Sequence, residues 1–196
     1  MATGTVKKPS ARERLLGAAN ELFYSEGVQT VGIDRIIEHA GVAKASLYNT
    51  YGSKEVLIAA YLELRGARIK DGITRTLTRF RTPREQLLGI FDAQGEMFTR
   101  PGYNGCPFVR ATAEVPEDSR IRRAAEKHRT WLRGLFAELA AQSGYADPED
   151  LARQLHLLYD GALQSARMDR DPSAATTARA AAAALLDAAP LAPARA

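Results

Sequence analysis

Apolar residues recur at intervals of three and four along almost the whole chain, and alternating runs of Val, Ile and Thr are missing, so the sequence predicts an all-α protein. The first stripe is Leu15, Leu16, Ala19, Leu22 and Phe23. Ser10 stands at its N-cap position and Gly27 where a C-terminal cap belongs, which predicts an amphipathic helix. In "TVGIDRIIEHAG", Gly32 opens a short helix, Ile33, Ile36 and Ile37 form its buried stripe, and Gly41 ends it. A second short helix follows from about Ala43 to Tyr51, with Val42 and Leu47 as inward anchors. Two short helices joined by a tight glycine-containing turn make a helix-turn-helix. Ser53 then caps a long helix reaching to about Phe80, with Val56, Leu57, Ala60, Tyr61 and Leu64 on one side.

Beyond Thr82 and Pro83 the pattern predicts a helix to about Thr99, then a break at "RPGYNGCP", dense in Gly and Pro. Pro107 suits the first turn of a short helix through Ala113, and "VPEDS" starts a long helix from about Glu117 to Gln142, ended by Gly144. "DPEDLARQLHLLYDGALQSARM" carries the stripe Leu151, Leu155, Leu158, Tyr159, Ala162, Leu163 and Ala166. A last, alanine-rich helix covers about Ser173 to Ala188. The expected organisation is an N-terminal three-helix helix-turn-helix module, residues 1–54, followed by a larger helical body, residues 55–196.

The stretch "GVAKASLYNTYGSKEVL", residues 41–57, breaks the surrounding Ala-, Leu- and Arg-rich pattern. With Val42 and Leu47 inward, the helical wheel turns Lys44, Ala45, Ser46, Tyr48, Asn49 and Thr50 outward. Small residues at 45 and 46 allow close approach to a groove floor, while Lys44 and Tyr48 reach phosphates or base edges. Such a face fits the DNA major groove, whose width of ~12 Å admits one α-helix. Backbone amides near Gly32 and Ser53, and those opening the second short helix, can hold phosphate oxygens. The alternative for any one of these side chains is an ordinary solvated helix surface. Tyr51 reads as core.

Composition narrows the function classes. Hydrophobic content of 45% with 26% charged residues fits a globular protein and argues against disorder or a fibre. A net charge of +4 suits a polyanionic partner without requiring one. No apolar run approaches the ~20 residues of a membrane span. The start "MATGTVKKPSARERLL" lacks an apolar segment of secretory type, so a cytoplasmic location is expected. The single Cys106 excludes an internal disulfide and a cysteine-cluster zinc site, and His39, His128 and His156 lie far apart without metal-ligand spacing, so no cofactor or metal is expected. Cys106 reads either as a small buried side chain or as a thiol activated at a helix N-terminus. His156 and Asp160 are four apart and can pair on one helix face. No acid, base and nucleophile cluster, so an enzyme is not expected.

At these residues the chain resembles a known family. "FYSEGVQTVGIDRIIEHAGVAKASLYNTYGSKEVL" is similar to the DNA-binding module of the tetracycline-repressor (TetR) family of bacterial regulators, through the joint spacing of G, I-x-x-I, AGV, LY-x-x-[FY] and SKE-x-L. The resemblance spans roughly the first sixty residues. It implies a homodimer with a three-helix reading head, a variable helical ligand-binding body, and transcriptional repression relieved by a small molecule. Carried onto this chain, the recognition-helix positions are Lys44, Ala45, Ser46, Tyr48 and Asn49, with Lys54 on a phosphate and Tyr48 on the family's near-invariant tyrosine. Ala43 replaces the usual Ser or Thr, Asn49 a frequent His, Tyr51 a frequent Phe, and Gly32 the usual Thr cap.

A head that reads a two-fold operator must dimerise, with half-sites ~34–36 Å or more apart. The expected interface is a four-helix seam of Leu151, Leu155, Leu158, Ala162, Ala178, Ala182, Leu185 and Leu186; the same stripes would otherwise pack within one subunit. Phe91, Met97, Phe98, Tyr103, Phe108, Trp131, Phe136 and Tyr159 form either an aromatic ligand pocket or plain core. Lys7, Lys8, Arg12 and Arg14 form either a basic arm on DNA or a solubilising tail. The leading expectation is a ligand-responsive repressor. An activator or ligand-independent regulator, a small helical enzyme using the aromatic pocket, and a dimeric scaffold are its alternatives.

Overall fold

A computed structural model describes residues 9–113 and 115–193. Among the described residues there are nine helices and no strand, only an isolated bridge between Tyr145 and Leu191. The all-α expectation holds. The helices are α1 (Ala11–Glu26), α2 (Ile33–Ala40), α3 (Lys44–Tyr51), α4 (Lys54–Leu77), α5 (Pro83–Phe98), α6 (Pro107–Thr112), α7 (Arg120–Gln142), α8 (Pro148–Met168) and α9 (Ala174–Ala188). Lys7, Lys8 and the first residues of the chain lie outside the described residues.

Most boundaries have identifiable chemical causes. Ser10 and Thr82 each close a capping box, with Glu13 and Glu85 reaching back to the N-cap amides. The bonds to those capping amides and hydroxyls hold both carboxyls below their ordinary pKa. Asp147 caps α8, and Pro83 and Pro148 occupy first turns, where a missing N–H costs nothing. Two boundaries differ from the sequence pattern. α4 ends at Leu77 rather than near Phe80, because residues 77–80 turn and the Phe80 ring lies against Gly89, where an added Cβ would sit 2.4 Å from the ring. α7 begins at Arg120 rather than Glu117: Pro116–Ser119 form a turn, and the Ser119 hydroxyl accepts from the Arg122 amide at 3.1 Å.

The chain divides into two compact units. The first comprises the chain to Leu64 together with Pro107–Ala125. Its α1, α2 and α3 pack on one another around Leu15, Phe23, Val31, Ile36, Leu47 and Tyr51, all buried. Leu57, Ile58, Tyr61 and Leu62 of α4 are buried too, with the Tyr61 ring edge-on to Phe23 at 5.6 Å, which is why this unit extends past the three short helices. Ile33, Ile37 and Val42 are only half-buried, so Ile36 and Leu47 carry the inward stripe.

The second unit comprises Arg65–Cys106 and Glu126–Ala196. Its core joins α5, the later part of α7, α8 and α9 through Leu87, Ile90, Phe91, Leu132, Phe136, Leu155, Tyr159, Ala182 and Leu186. α9 packs on both α5 and α8. Its alanines make this possible by allowing close approach: Ala175 Cβ lies 3.4 Å from where a side chain at Gly95 would begin. Arg179 to Asp92 at 2.9 Å and an Arg84–Asp187 pair tie the outer edge of α9 to α5.

Candidate nucleic-acid interface

The turn between α2 and α3 sets the geometry of the helix-turn-helix. Gly41 adopts φ 60°, a left-handed conformation that costs a side-chain-bearing residue more, and its amide donates to Glu38 O while Val42 donates to Ile37 O. From α1, Arg14 Nη1 donates to Gly41 O at 2.9 Å, fixing this turn against the first helix. Tyr51 closes the other end. Its ring is buried beneath the Arg12 guanidinium at 5.3 Å, and its hydroxyl donates to Arg12 O at 3.2 Å. Burial raises its pKa. Arg12 and Arg14 are therefore residues of α1 that brace the module, and neither the basic arm nor the solubilising tail weighed for them describes their place.

With Leu47 and Tyr51 inward, α3 turns Lys44, Ala45, Tyr48 and Asn49 outward, one contiguous face at i, i+1, i+4 and i+5. Tyr48 is 45% exposed, one of the few large apolar-bodied side chains left on the surface among the described residues. Ser46 and Thr50 flank this face and are half-buried. Neither Gly32 nor Ala43, the N-caps of α2 and α3, offers a side-chain acceptor to the helix amides behind it. Those two N-termini retain the donor capacity that suits phosphate oxygens. Ser53 does supply one, accepting from the Val56 amide at 3.2 Å. Lys54 is half-buried, and desolvation lowers its pKa.

Sequence reasoning missed one partner on this surface. Lys44 Nζ bonds Asp34 Oδ1 at 2.9 Å, and that hydrogen bond, with the charge of Asp34, raises the lysine pKa. The signal was available as an acid in the first turn of α2, but its meeting with a residue ten positions later depends on the angle of the turn. His39 with Glu21 at 2.8 Å and an Arg35–Glu26 pair complete the ion pairs of α2 with α1.

The other expected sites lie elsewhere. Phe91, Phe98 and Tyr159 are buried in the second unit, with Met97, Tyr103 and Trp131 partly buried against the same core. Phe108 is buried in the first unit. Two buried polar atoms among these aromatics lack a hydrogen-bond partner among the described residues: Gln94 Oε1, whose amide nitrogen donates to Tyr159 O at 2.8 Å, and His156 Nδ1. His156 Nε2 lies 3.7 Å from Asp160, which Arg129 holds at 2.7 Å. Burial lowers the pKa of His156, and burial together with the neighbouring His156 lowers His128 to about 4. Both imidazoles are neutral near pH 7. Among the described residues no group of three His, Cys, Asp or Glu side chains could hold a metal ion. Cys106 is half-buried against the second core.

Of the eight residues expected at a dimer seam, Leu151, Leu155, Ala162, Ala178, Ala182 and Leu186 are buried within the subunit, while Leu158 and Leu185 are half-exposed. Leu157, on the outward side of α8, is 74% exposed. It borders a groove of about 420 Å³ between α8 and α9 that also includes Leu158, Gly161, Thr177 and Ala181.

Residues 15–61 match the family described as bacterial regulatory proteins of the tetR family, and residues 83–182 match the tetracyclin repressor-like C-terminal domain. The crystal structure of a TetR-family transcriptional regulator from Streptomyces coelicolor superposes with a TM-score of 0.84 at 34% identity, covering 90% of this chain and 94% of that one. The HTH-type transcriptional repressor NemR of Escherichia coli is 28% identical over 172 residues, 81% of this chain and 85% of NemR. The HTH-type transcriptional activator FasR of Mycolicibacterium smegmatis is 33% identical over 82 residues, 42% of this chain and 37% of FasR. The two domain matches and the helix-turn-helix geometry agree: this chain belongs to the TetR family of transcriptional regulators and is a DNA-binding regulator.

Proposed function

We propose that the protein is a cytoplasmic homodimeric repressor that binds a palindromic operator through α3 and releases it when a small molecule occupies the body. The observation that carries this reading is the outward face of α3: Lys44, Ala45, Tyr48 and Asn49 exposed together over a buried Leu47 and Tyr51. Ala45 leaves room for the helix to approach base edges, and Lys44 and Tyr48 supply the reach. Gly32, Ser46, Thr50 and Lys54 flank this face as candidate phosphate and backbone contacts, and residues 1–54 form the reading domain. Repression is favoured by the likeness to NemR over most of both chains, whereas the likeness to the activator FasR covers less than half of this one.

Residues 55–196 form the effector and dimerisation domain. In its interior, the aromatic set around Phe91 and Tyr159 is joined by Gln94 Oε1 and His156 Nδ1, both buried with unused hydrogen-bonding capacity. An apolar cavity with a few convergent polar groups is the usual form of a small-molecule site. For dimerisation, the outward side of α8 and α9 offers Leu157, Leu158, Gly161, Ala181 and Leu185, a seam that keeps Leu158 and Leu185 of the expected set and adds the exposed positions beside them. Release of DNA then requires an effector that prefers the DNA-incompetent state.

The test is titration of the purified protein against its own upstream DNA, with competitor DNA and at several salt concentrations. Tight binding that survives competitor, two chains per palindrome, and its loss on adding a small molecule found by thermal-shift screening support the reading. Binding that vanishes at moderate salt without sequence preference contradicts it.

A further inference from the structure

Beside the loop that follows α5, the second unit carries a groove of about 340 Å³. Three arginines line it: Arg100 after α5, Arg167 in the last turn of α8, and Arg170 just beyond that helix. All three are exposed, and none is within ion-pairing distance of a carboxylate among the described residues. Elsewhere among the described residues, Arg79, Arg84, Arg129, Arg153 and Arg179 are each paired with an acid. The acids nearest in sequence, Asp169 and Asp171, do not line this groove, and Asp171 is occupied by the Ser173 amide and hydroxyl.

Two features of the chain hold the arginines there. Gly105 has φ 76°, and a Cβ on it would sit 2.4 Å from Arg167 Cδ, so the arginine stem packs on bare backbone that only glycine provides. Arg170 has φ 55°, the only non-glycine residue with positive φ among the described residues. Glycine would take that position after a helix C-terminus without strain, yet the chain places a guanidinium there. Asn104 also lines the groove, and Phe98 and Tyr103, with ring centroids 4.9 Å apart, give it an aromatic wall. The Tyr103 hydroxyl donates to Leu163 O at 3.2 Å, which fixes that wall to α8.

From these residues we propose that the groove is a binding site for a small phosphate monoester whose organic part lies against Phe98 and Tyr103. A single guanidinium fork satisfies a carboxylate, whereas three arginines brought in from two helix ends match a group with three acceptor oxygens and a charge of about −1.5 to −2 near pH 7. The site shares Phe98 and Tyr103 with the aromatic set of the effector reading, but Arg100, Arg167 and Arg170 lie outside that set, so loss of binding in the arginine variants tests this site and not that reading.

The experiment is calorimetric titration of the full chain with phenyl phosphate at moderate ionic strength, with benzoate as the carboxylate counterpart. The expected result is one saturable site per chain, at least ~10-fold weaker for benzoate, and at least ~10-fold weakened by Arg167→Gln and by Arg170→Gly. Arg153→Gln, which removes the same charge from an exposed position elsewhere on α8, should change affinity by less than about twofold. Arg170→Gly relieves the positive-φ strain, so its thermal midpoint should be equal or higher, which separates lost binding from lost folding. Absence of saturable heat, equal affinity for benzoate, or an equal loss in Arg153→Gln would overturn the proposal.

Discussion

Lys44 Nζ and Asp34 Oδ1 meet at 2.9 Å across the turn of the helix-turn-helix, so the lysine proposed to reach a DNA phosphate is paired with an acid. Both side chains are well exposed, so the pair adds little to stability. Its consequence lies in binding: under the proposed docking of α3, DNA competes with Asp34 for this ammonium group. Asp34→Asn is expected to tighten operator binding, most strongly at low salt, and Lys44→Ala to lower the slope of log K against log salt by about 0.9. Fluorescence anisotropy over a salt series measures both.

Tyr48 and Tyr51 lie one turn apart on α3 and should behave oppositely. Tyr48→Ala is expected to weaken specific operator binding by ~1–3 kcal/mol while leaving the thermal midpoint unchanged. Tyr51→Ala empties a core position under Arg12 and should cost ~3 kcal/mol or more of folding stability. Denaturant unfolding of the two variants, beside their DNA affinities, separates contact from support.

His128 gives stability a pH dependence. Its folded pKa of about 4 lies below the ordinary value of 6.5, so the unfolded chain binds the proton more readily. Stability therefore falls as pH drops from about 6.5 towards 4 and does not fall further through this group below that, with a contribution on the order of 3 kcal/mol across the window. In His128→Gln the loss between pH 6.5 and 4.5 should be visibly smaller than in the wild type. Equal curves for the two proteins would show that other groups govern this range.

Leu157 and Leu155 separate the two readings of α8. Leu157→Lys, at an exposed position, is expected to leave the fold intact and shift the protein to a monomer. Leu155→Ala, at a fully buried one, should cost ~2–5 kcal/mol of stability through the cavity it leaves. Sedimentation velocity and thermal unfolding give the two answers.

The elements were legible because their ends are chemical. Ser10, Thr82 and Asp147 cap, Pro83 and Pro148 start, and Gly27 and Gly41 stop helices through local interactions that the sequence carries in full. The outward face of α3 was legible for the same reason, since Leu47 and Tyr51 fix its rotation. What periodicity could not decide was which neighbour receives a stripe. Leu151, Leu155 and Ala182 were expected at an interface between subunits, with core within one as the alternative, and the structure buries them inside the subunit. Likewise Phe108 belongs to the first unit although the other aromatics of its set belong to the second, because α6 returns there after a loop whose path no local pattern encodes. Lys44 with Asp34, and Arg14 with Gly41 O, are tertiary meetings of the same kind.

Sequence-specific DNA reading through α3 is put to the test by selecting bound fragments from the genome with the wild-type protein and with Tyr48→Ala in parallel. The wild type is expected to enrich fragments sharing one two-fold symmetric sequence, and the folded Tyr48→Ala variant to lose that enrichment while retaining weak, salt-sensitive DNA binding. Fragments enriched without a shared sequence, or the same sequence recovered equally by both proteins, would contradict it.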